Sequence, residues 1–373
     1  MRIEDVCTFF TDGDWIESKD QSGSGIRLIQ TGNIGEGRFL NKSSRAKYIS
    51  QETFERLKCT EVLPGDILVS RLPEPVGRAC IVPSLCEKMI TAVDCTICRP
   101  DSNKVQKEYL CYFMRSNAYY SRLLGSVAGT TRKRISRKNL GNVEIELPVL
   151  SKQKTVVEEL DCLVSIIDAR WQQLQQLDEL IKARFVELTE MAPTTPTRMG
   201  DIATYLNGYA FKPDQWEDKG LPIIRIQNLN NPDAAYNYYS GELAEKYLVY
   251  SGDVLVSWAT HLEAYVWKGE SAWLNQHIFK VVFDKMDVDK IYFVFATEEA
   301  LRQAFKNAHG FKPTMEHIKK ADFDNAVVKL PPLPVQREFS RFAQQVDKSK
   351  VAVQAALDEA QFLFDSLMQK YFG

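Results

Sequence analysis

The sequence has no apolar run long enough to cross a membrane. Its most apolar stretches, such as residues 291–296, fall far short of the roughly 20 consecutive apolar residues that a membrane-spanning helix needs. Residues 1–6 also lack the apolar core of a secretory signal peptide. We therefore expect a cytoplasmic protein that makes no contact with a membrane.

Histidine is scarce, and cysteine is confined to the first half of the chain. The four histidines show no spacing that is typical of a metal site. Cys95 and Cys98 form a lone Cys-x-x-Cys pair with Cys80 and Cys86 nearby, but no histidine lies in that stretch. A disulfide framework is typical of small secreted domains, which a chain of 373 residues is not. We predict cysteines that are half-buried in alternating strands, and no metal site.

Sequence motifs of nucleotide chemistry are absent. No phosphate-binding GxxxxGK[S/T] loop occurs, and Gly32, Gly35 and Gly37 lack dinucleotide-binding spacing. The Asn/Asp-Pro-Pro-Tyr motif of amino-methyltransferases is missing, and acidic pairs such as Glu144 and Glu146 are more typical of outward strand positions. We therefore predict no catalytic residue and no cofactor for this chain. The alternative is a self-sufficient DNA-modifying enzyme with an unrecognised site.

A strong excess of positive charge is also lacking, because the formal net charge is −2 at pH 7. This near-balance argues against a chain that is uniformly basic for binding nucleic acid. The charge is uneven, however: residues 1–150 carry more Lys and Arg than Asp and Glu, and residues 151–332 carry fewer. Any contact with a polyanion is therefore local, and a large partner could supply further positive charge.

The chain carries one pattern twice, 183 residues apart. Residues 147–153 read Leu-Pro-Val-Leu-Ser-Lys-Gln, and residues 330–336 read Leu-Pro-Pro-Leu-Pro-Val-Gln. A long amphipathic helix pattern follows each copy, and the prolines prevent the helix from extending backwards, so we predict Ser151 as the N-cap of the first helix. The predicted parts are a globular domain over 1–150, a helix over 151–191, a globular domain over 192–332 and a helix over 333–373.

Both helices carry apolar residues at heptad spacing, which is typical of a coiled-coil seam. Each helix would be about 57 Å long at about 1.5 Å per residue, and two helices of matched length most simply pair with each other, antiparallel. Asp178 is the one polar position in the first seam, where it either sets the register or faces a basic partner. The predicted seam residues are Leu160, Val164, Ile167, Trp171, Leu174, Ile181 and Phe185 in the first helix, and Val346, Val353, Ala356, Ala360, Leu363 and Leu367 in the second.

The two globular parts also resemble each other. A Gly-Asp turn leads into an Ile/Leu/Val strand at residues 65–70 and again at residues 252–257. Residues 27–34 resemble residues 224–230, and polar side chains follow Arg27 in the first segment and Arg225 in the second. We predict that each globular part has an α+β fold that is rich in strands, with one twisted sheet and few peripheral helices.

Basic and polar side chains are concentrated in a few loops. Five of the seven residues from 132 to 138 are basic, and guanidinium, ammonium and hydroxyl groups all bind phosphate; a solvated basic turn is the alternative. Elsewhere, amide side chains that could pair with adenine and arginines that could pair with guanine recur at matched places in the two halves. The predicted DNA-contacting residues are Arg27, Gln30, Thr31, Asn33, Arg71, Arg78, Thr130, Thr131, Arg132, Lys133 and Arg134 in the first half, and Arg225, Gln227, Asn228, Trp258, His261, Asn275, Gln276, His277, Lys312 and Thr314 in the second.

The duplicated order of these motifs resembles the specificity subunits of type I restriction-modification systems. The resemblance covers the whole chain. It rests on the repeated Leu-Pro-x-Leu-x-x-Gln segment, on the Gly-Asp-Ile/Val-Leu-Val-Ser strand start in each half, and on Leu-Asn-Gln-His at 274–277. Two features depart from an even repeat: the first half is rich in cysteine, and the second lacks the basic cluster.

That resemblance implies two target recognition domains separated by two long antiparallel helices. Each domain would read one half of a split double-stranded DNA target, and the helices would set the gap between the halves. The subunit would not itself be an enzyme. Its partners would be two methyltransferase subunits, which use S-adenosylmethionine, and ATP-driven restriction subunits. A protein-binding scaffold that never touches DNA is the alternative from another class.

Overall fold

The structure is a computed structural model of the chain. It describes residues 1–125, 133–231, 233–259, 263–309 and 320–373, with the backbone alone over 303–309. The chain divides into two compact units: unit 1 comprises Met1–Trp171 and Gln354–Gly373, and unit 2 comprises Gln172–Val353. Each unit therefore contains one globular part and a section of both long helices. Within the described ranges, no helix is long and apolar enough to cross a membrane.

Unit 1 holds two sheets. One has the strand order β1-β9-β6-β7 and is antiparallel throughout. The other has the order β2-β4-β3-β8-β5, in which β3 and β8 run parallel and the remaining neighbours antiparallel. The strands are β1 (Cys7–Asp12), β2 (Gln21–Ser22), β3 (Ile26–Ile29), β4 (Lys47–Ile49), β5 (Glu61–Val62), β6 (Ile67–Ser70), β7 (Ala79–Ile81), β8 (Met89–Thr91) and β9 (Cys95–Pro100).

Three of the four shorter α-helices described in unit 1 begin at a serine cap. Ser50, Ser116 and Ser136 each accept a hydrogen bond from the backbone N–H three residues later, which satisfies one of the free donors in a first helical turn. The four helices are α1 (Gln51–Leu57), α2 (Lys107–Phe113), α3 (Asn117–Leu124) and α4 (Arg137–Gly141), and the serine caps are those of α1, α3 and α4. The chain then forms the long helix α5 (Leu150–Met191), which leads from unit 1 into unit 2.

Unit 2 has two four-stranded sheets and a two-stranded ribbon. The sheets have the orders β11-β18-β15-β16 and β13-β12-β17-β14, and the ribbon pairs β10 with β19. The strands are β10 (Thr195–Arg198), β11 (Thr204–Asn207), β12 (Leu221–Ile224), β13 (Asn237–Tyr239), β14 (Leu248–Val249), β15 (Val254–Ser257), β16 (Ala264–Val266), β17 (Ala272–Leu274), β18 (Ile278–Val282) and β19 (Val327–Leu330). The helices are α6 (Met199–Ile202), α7 (Ile226–Asn230), α8 (Lys290–His309), α9 (Lys320–Asn325) and the long helix α10 (Leu333–Phe372), which leads back to unit 1.

The two units repeat one topology. The order β1-β9-β6-β7 in unit 1 corresponds to β11-β18-β15-β16 in unit 2, and β4-β3-β8-β5 corresponds to β13-β12-β17-β14. The parallel pair recurs too, as β3 with β8 and β12 with β17. This confirms the α+β prediction of two repeated, strand-rich domains with two long helices.

The prediction of one sheet in each globular part is wrong, because each unit contains two sheets that pack on each other. The apolar strands are therefore covered on both faces. In unit 1, Ile29 and Met89 of one sheet share a core with Leu68 and Ile97 of the other. Strands β6 and β15 are buried at every position. A strand that packs on both faces reads as a continuous apolar run rather than as an alternation, so the sequence pattern could not reveal the second sheet.

Burial on both faces also explains the cysteines. Cys80, Cys95 and Cys98 are fully buried in β7 and β9, rather than half-buried as predicted, and the eight cysteines are free thiols. Burial raises the pKa of the Cys80 and Cys95 thiols to about 12. These cysteines therefore act as small apolar core residues. No group of three or more His, Cys, Asp or Glu in the described ranges is arranged to hold a metal ion.

Within each unit, the sections of α5 and α10 pair antiparallel. In unit 2, Lys350 Nζ donates to Asp178 Oδ1 at 2.6 Å, and Arg184 donates to Glu338 at 2.7 Å. In unit 1, the Tyr371 hydroxyl donates to a Glu159 oxygen at 2.5 Å. Lys350 is thus the basic partner of the polar seam position Asp178. Helix α5 begins at Leu150, so its N-cap is Val149, and the prediction of Ser151 as the N-cap is wrong by two residues.

The buried stripe of each long helix departs from the predicted seam at two residues. Trp171 is 55% exposed and Leu363 is 47% exposed, so their assignment to the seam is wrong. On α10, the second line of buried residues follows the first line by four residues rather than three. On α5, the reason is different: a straight α-helix drifts by about 20° per heptad from a strict seven-residue repeat. Buried or half-buried are Leu160, Val164, Ile167, Leu174, Ile181, Phe185, Val346, Val353, Ala356, Ala360 and Leu367, together with Ala343, Leu357, Phe364 and Met368, which the heptad missed.

The repeated glutamine explains why the Leu-Pro segment recurs. Gln153 is fully buried; its Oε1 accepts from Gln106 N at 2.9 Å, and its Nε2 donates to Pro148 O at 2.9 Å. Gln336 is 3% exposed and makes the matching bonds, accepting from Asp289 N at 3.0 Å and donating to Pro331 O at 2.8 Å. Each glutamine therefore accepts from the residue just before an earlier helix, α2 or α8, and fixes the first turn of the long helix to its globular part.

Candidate nucleic-acid interface

Several loops of unit 1 meet where β1, β3 and β8 end. Ala92 N donates to Ile29 O at 2.9 Å, and Asp14 N donates to Thr91 O at 2.8 Å. The turn at 91–94 therefore lies between the residues that follow β1 and those that follow β3. We call residues 12–15, 30–34, 71–78, 91–94 and 133–137 the loop edge of unit 1.

Arg71 ties this edge together from inside. Its backbone N–H donates to Asp94 O at 2.9 Å, and its guanidinium donates to Val93 O at 2.5 Å and lies 3.2 Å from an Asp12 oxygen. The residue is 5% exposed, and this burial lowers the pKa of its guanidinium, whereas Asp12 acts in the opposite direction. Arg71 is not placed to contact a base, which corrects the prediction.

Two further arginines predicted to contact DNA are also buried. The Arg78 guanidinium donates to the carbonyl oxygens of Ile34 at 2.7 Å and Thr31 at 2.8 Å, and so supports the turn that follows β3. Arg27 is 3% exposed and donates to Glu87 Oε1 at 2.5 Å, at the opposite end of β3 from that turn. Both predictions are wrong for the same reason: the guanidinium groups are used to hold the fold together.

The turn that follows β3 presents Gln30 and Thr31. Asn33 Oδ1 accepts from Gln30 N at 3.0 Å, and Asn33 Nδ2 donates to Leu40 O at 3.0 Å, so Asn33 stabilises the turn itself. Gln30 and Thr31 are half-exposed on this turn. They are the members of the predicted set here that a ligand could reach.

The basic cluster reaches the same edge. Ile135 N donates to Arg71 O at 3.2 Å, which fixes the segment before α4 beside the loop after β6. Lys133 and Arg134 are exposed, and Arg134 lies 3.1 Å from an Asp94 oxygen. The remaining predicted members of the cluster lie outside the described residues: Thr130, Thr131 and Arg132.

Unit 2 builds a matching edge. Asn275 N donates to Ile224 O at 3.1 Å, and Tyr209 N donates to Leu274 O at 2.7 Å. We call residues 207–210, 225–231, 258–259 and 275–277 the loop edge of unit 2. We call residues 91–94 of unit 1 and residues 275–277 of unit 2 the crossing turn. Each edge requires one glycine, Gly13 or Gly208, because a Cβ atom there would clash with the backbone at or beside this turn.

The hydrogen bonds of the turns correct the alignment of the two halves. Arg225 N donates to Asn228 Oδ1 at 3.1 Å, just as Gln30 N donates to Asn33 Oδ1. Arg225 therefore corresponds to Gln30, and not to Arg27. Asn228 is 4% exposed and is not placed to contact a base, which corrects that prediction. Gln227 is exposed on the same turn, and the half-exposed Arg225 lies 4.9 Å from the Trp216 ring centre.

The crossing turn differs most between the units. Trp258 N donates to His277 O at 3.3 Å, as Arg71 N donates to Asp94 O. Residues Asn-Gln-His at 275–277 thus stand where unit 1 has Ala-Val-Asp at 92–94. The Trp258 ring lies 5.3 Å from the His277 ring, and Gln276 Nε2 lies 3.2 Å from His277 Nε2. The other predicted contacts of unit 2, His261, Lys312 and Thr314, lie outside the described residues.

An acidic group beside the edge of unit 2 escaped the sequence reasoning. The Tyr265 hydroxyl lies 2.5 Å from both Glu263 Oε2 and Asn230 Oδ1. Burial, together with the nearby Glu263, raises the pKa of Glu298 to about 7. These residues come from α7, from β16 and the residue before it, and from α8, so no local motif could have joined them. Trp15 of unit 1 was also missed, although its place directly after Gly13-Asp14 could have signalled it.

The sequence also matches a family model and known relatives. The family model for the type I restriction modification DNA specificity domain matches residues 1–179 and again residues 193–360. The specificity subunit of the Escherichia coli type I restriction enzyme EcoBI is 29% identical over 42% of this chain, and the match spans 34% of that protein. The EcoKI specificity subunit of Escherichia coli strain K12 is 22% identical over 93% of this chain and 82% of that protein.

A solved structure has the same fold. A chain from a study of the assembly and conformational transition of the type I restriction-modification system aligns over 100% of this chain and 96% of its own length. The TM-score is 0.61 and the sequence identity is 18%. The structural alignment shows that the fold is shared. The two family-model matches, which cover most of the sequence, show the family. The chain belongs to the type I restriction-modification DNA specificity family and carries the family's domain twice.

Proposed function

We propose that this chain is the non-catalytic recognition subunit of a type I restriction-modification complex, and that each unit reads one half of a bipartite double-stranded DNA target. One observation carries the proposal: both units build the same loop edge at the ends of the same strands, yet fill it with different side chains. Two edges of one design and unlike chemistry suit a target whose two halves differ in sequence.

The accessible side chains have the chemistry of DNA contact. Amide groups pair with the edge of adenine, and a guanidinium pairs with guanine in the major groove, which favours Gln227, Asn275, Gln276 and Arg225 in unit 2. In unit 1, Gln30 and Thr31 occupy the matching turn. The exposed cations of residues 133–138 suit phosphate oxygens, which position a protein on the duplex without reading sequence.

We further propose that α5 and α10 bind two methyltransferase subunits and set the spacing between the half-sites. Both helices leave large apolar side chains exposed: Val351 at 71%, Phe362 at 74% and Trp171 at 55%. Large apolar side chains that are exposed on a helix suit burial against a protein partner. In this arrangement the methyltransferases provide the S-adenosylmethionine chemistry, and ATP-driven restriction subunits provide cleavage.

The test is to purify the full chain with its cognate methyltransferase subunits and to map methylated adenines in the DNA that the complex modifies. The proposal predicts a single motif made of two half-sites and a fixed spacer. The chain alone, incubated with S-adenosylmethionine or magnesium, should neither methylate nor cleave DNA. Activity of the chain alone would favour the enzyme alternative, and a complex that retards no DNA would favour the scaffold alternative.

A further inference from the structure

Trp15 stands on the loop edge of unit 1 with 69% of its surface exposed. It follows Asp14, whose backbone N–H donates to Thr91 O at 2.8 Å, so the residue lies beside the crossing turn at 91–94. Its neighbour Ile16 packs on the core beside Ala92, whereas Trp15 is not among the residues of that core. A large aromatic side chain left in water at a binding edge points to a ligand that covers it.

An ion pair follows Trp15 along the chain. Lys19 Nζ lies 2.8 Å from a Glu17 oxygen. Lys19 holds the pKa of Glu17 below its ordinary value. The negative charge of Glu17 is therefore paired beside the Trp15 segment.

The residues around Trp15 are apolar, and the matched residues of unit 2 are not. Asp14 bridges Ala92, and Tyr209 bridges Asn275 in the same parallel sense, so Trp15 corresponds to Ala210. Around this position unit 1 presents Trp15, Ala92 and Val93. Unit 2 presents Ala210, Asn275 and Gln276 in their places. Unit 1 thus has an apolar surface where unit 2 has amide groups.

The carboxylates near this surface are paired with arginines or accept a hydrogen bond, so they do not repel DNA strongly. Asp94 lies 3.1 Å from Arg134, and Asp12 lies 3.2 Å from Arg71. Asp14 is half-buried and accepts a hydrogen bond from Thr60 N at 2.8 Å. An apolar surface flanked by the exposed cations of residues 133–137 can therefore approach a base pair while phosphates are bound beside it.

We propose that Trp15, together with Ala92 and Val93, contacts the 5-methyl group of a thymine in the half-site that unit 1 reads. This inference rests on the proposed function. Thymine is distinguished in the major groove by that methyl group, which apolar side chains contact, whereas amides pair with adenine. The Trp15 surface would thus give unit 1 a preference that the amide-bearing turn of unit 2 does not share.

The test is a cycle of substitutions in protein and DNA. Probes carry the mapped target with each thymine replaced in turn by deoxyuridine, which removes the methyl group alone. The full chain, in complex with its methyltransferase subunits, is titrated with each probe. We expect one position in one half-site at which the wild-type affinity falls roughly three- to fivefold, which is the effect of losing one buried methyl contact. The Trp15→Ala complex should bind the parent probe more weakly and should not distinguish it from the deoxyuridine probe.

Two further variants serve as a conservative substitution of Trp15 and as a control at another exposed apolar residue. Trp15→Phe keeps an aromatic ring and should retain part of the methyl discrimination. Leu63→Ala removes a side chain that is 39% exposed at the opposite end of β6, and it should leave the discrimination unchanged. Because Trp15 is exposed, its variants should unfold at the wild-type temperature. If Trp15→Ala were nevertheless unstable, Trp15→Phe would decide the question, because a methyl discrimination as large as that of wild type would overturn the role of Trp15.

The inference is overturned if no deoxyuridine probe weakens wild-type binding, or if the loss is the same size in Trp15→Ala, because another residue would then read the methyl group. A wild-type complex that binds no specific DNA at all would instead overturn the proposed function. The two failures are therefore distinguishable.

Discussion

Replacing Gln153 with alanine should loosen the junction between α5 and the globular part of unit 1. The fully buried side chain accepts from Gln106 N at 2.9 Å and donates to Lys104 O at 3.1 Å and Pro148 O at 2.9 Å. Alanine removes all three hydrogen bonds. It also leaves one backbone donor and two carbonyl oxygens without that partner in a region that excludes water.

The size of the effect follows from the number of bonds. At about 1 kcal/mol for each hydrogen bond, Gln153→Ala should lower the free energy of unfolding of unit 1 by about 3 kcal/mol. Gln336→Ala in unit 2 removes two bonds, to Asp289 N and Pro331 O, and should cost about 2 kcal/mol. Gln175→Ala, at an exposed position of α5, should stay within about 0.5 kcal/mol of wild type.

Thermal unfolding and amide hydrogen exchange measure the effect unit by unit. For a unit of this size, about 3 kcal/mol lowers the melting temperature by roughly 6–12 °C. Exchange should accelerate at the first turns of α2 and α5 in Gln153→Ala, and at those of α8 and α10 in Gln336→Ala. If both variants matched the Gln175→Ala control, the glutamines would not be what fixes the long helices to the globular parts.

Three other perturbations have defined outcomes. Inserting one heptad after Trp171 and one after Val353, where the chain passes between the units, adds about 10 Å to each helix and should lengthen the spacer by about 3 base pairs; an unchanged spacer would refute the role of the helices. Changing Arg132, Lys133 and Arg134 to alanine should lower the salt slope of DNA binding by about 3, and an unchanged slope would identify a merely solvated turn. The pKa of Glu298 rises from 4.5 to about 7, so the native state holds its proton more tightly than the unfolded state; stability should fall as the pH rises from about 5 to 7, and Glu298→Gln should remove about 1–2 kcal/mol of that loss. Urea unfolding at pH 5 and pH 8 checks this, and parallel changes in both proteins would contradict it.

The order of the domains and long helices along the chain was predictable, because repeated local sequence patterns mark it. The Leu-Pro segments and the heptads locate α5 and α10, and the Gly-Asp turns locate β6 and β15. The second buried line of α10 was placed one residue too early, at Leu363 instead of Phe364, because heptad counting does not decide between spacings of three and four. Neighbouring contacts on the other helix make that choice.

The candidate site was harder to predict, because residue type alone does not say whether a polar side chain faces a ligand or the protein. Arg71 and Asn228 have the chemistry of base readers, yet both are buried and bonded to the backbone of their own edge. Conversely, Trp15 is 69% exposed on the edge of unit 1, and beyond the preceding Gly13-Asp14 no sequence motif singles it out. Only the bonds that bring the crossing turn against the ends of β1 and β3 reveal which residues share the edge.

The central claim is that each unit reads one half-site through its own loop edge. It is tested most directly by mapping methylation with a complex that carries Asn275→Ala and Gln276→Val, which gives the turn of unit 2 the side chains of Ala92 and Val93 in unit 1. Relaxed or altered sequence preference in one half-site, with the other half-site and the spacer unchanged, is the predicted result. A change in both half-sites, or in neither, would contradict it.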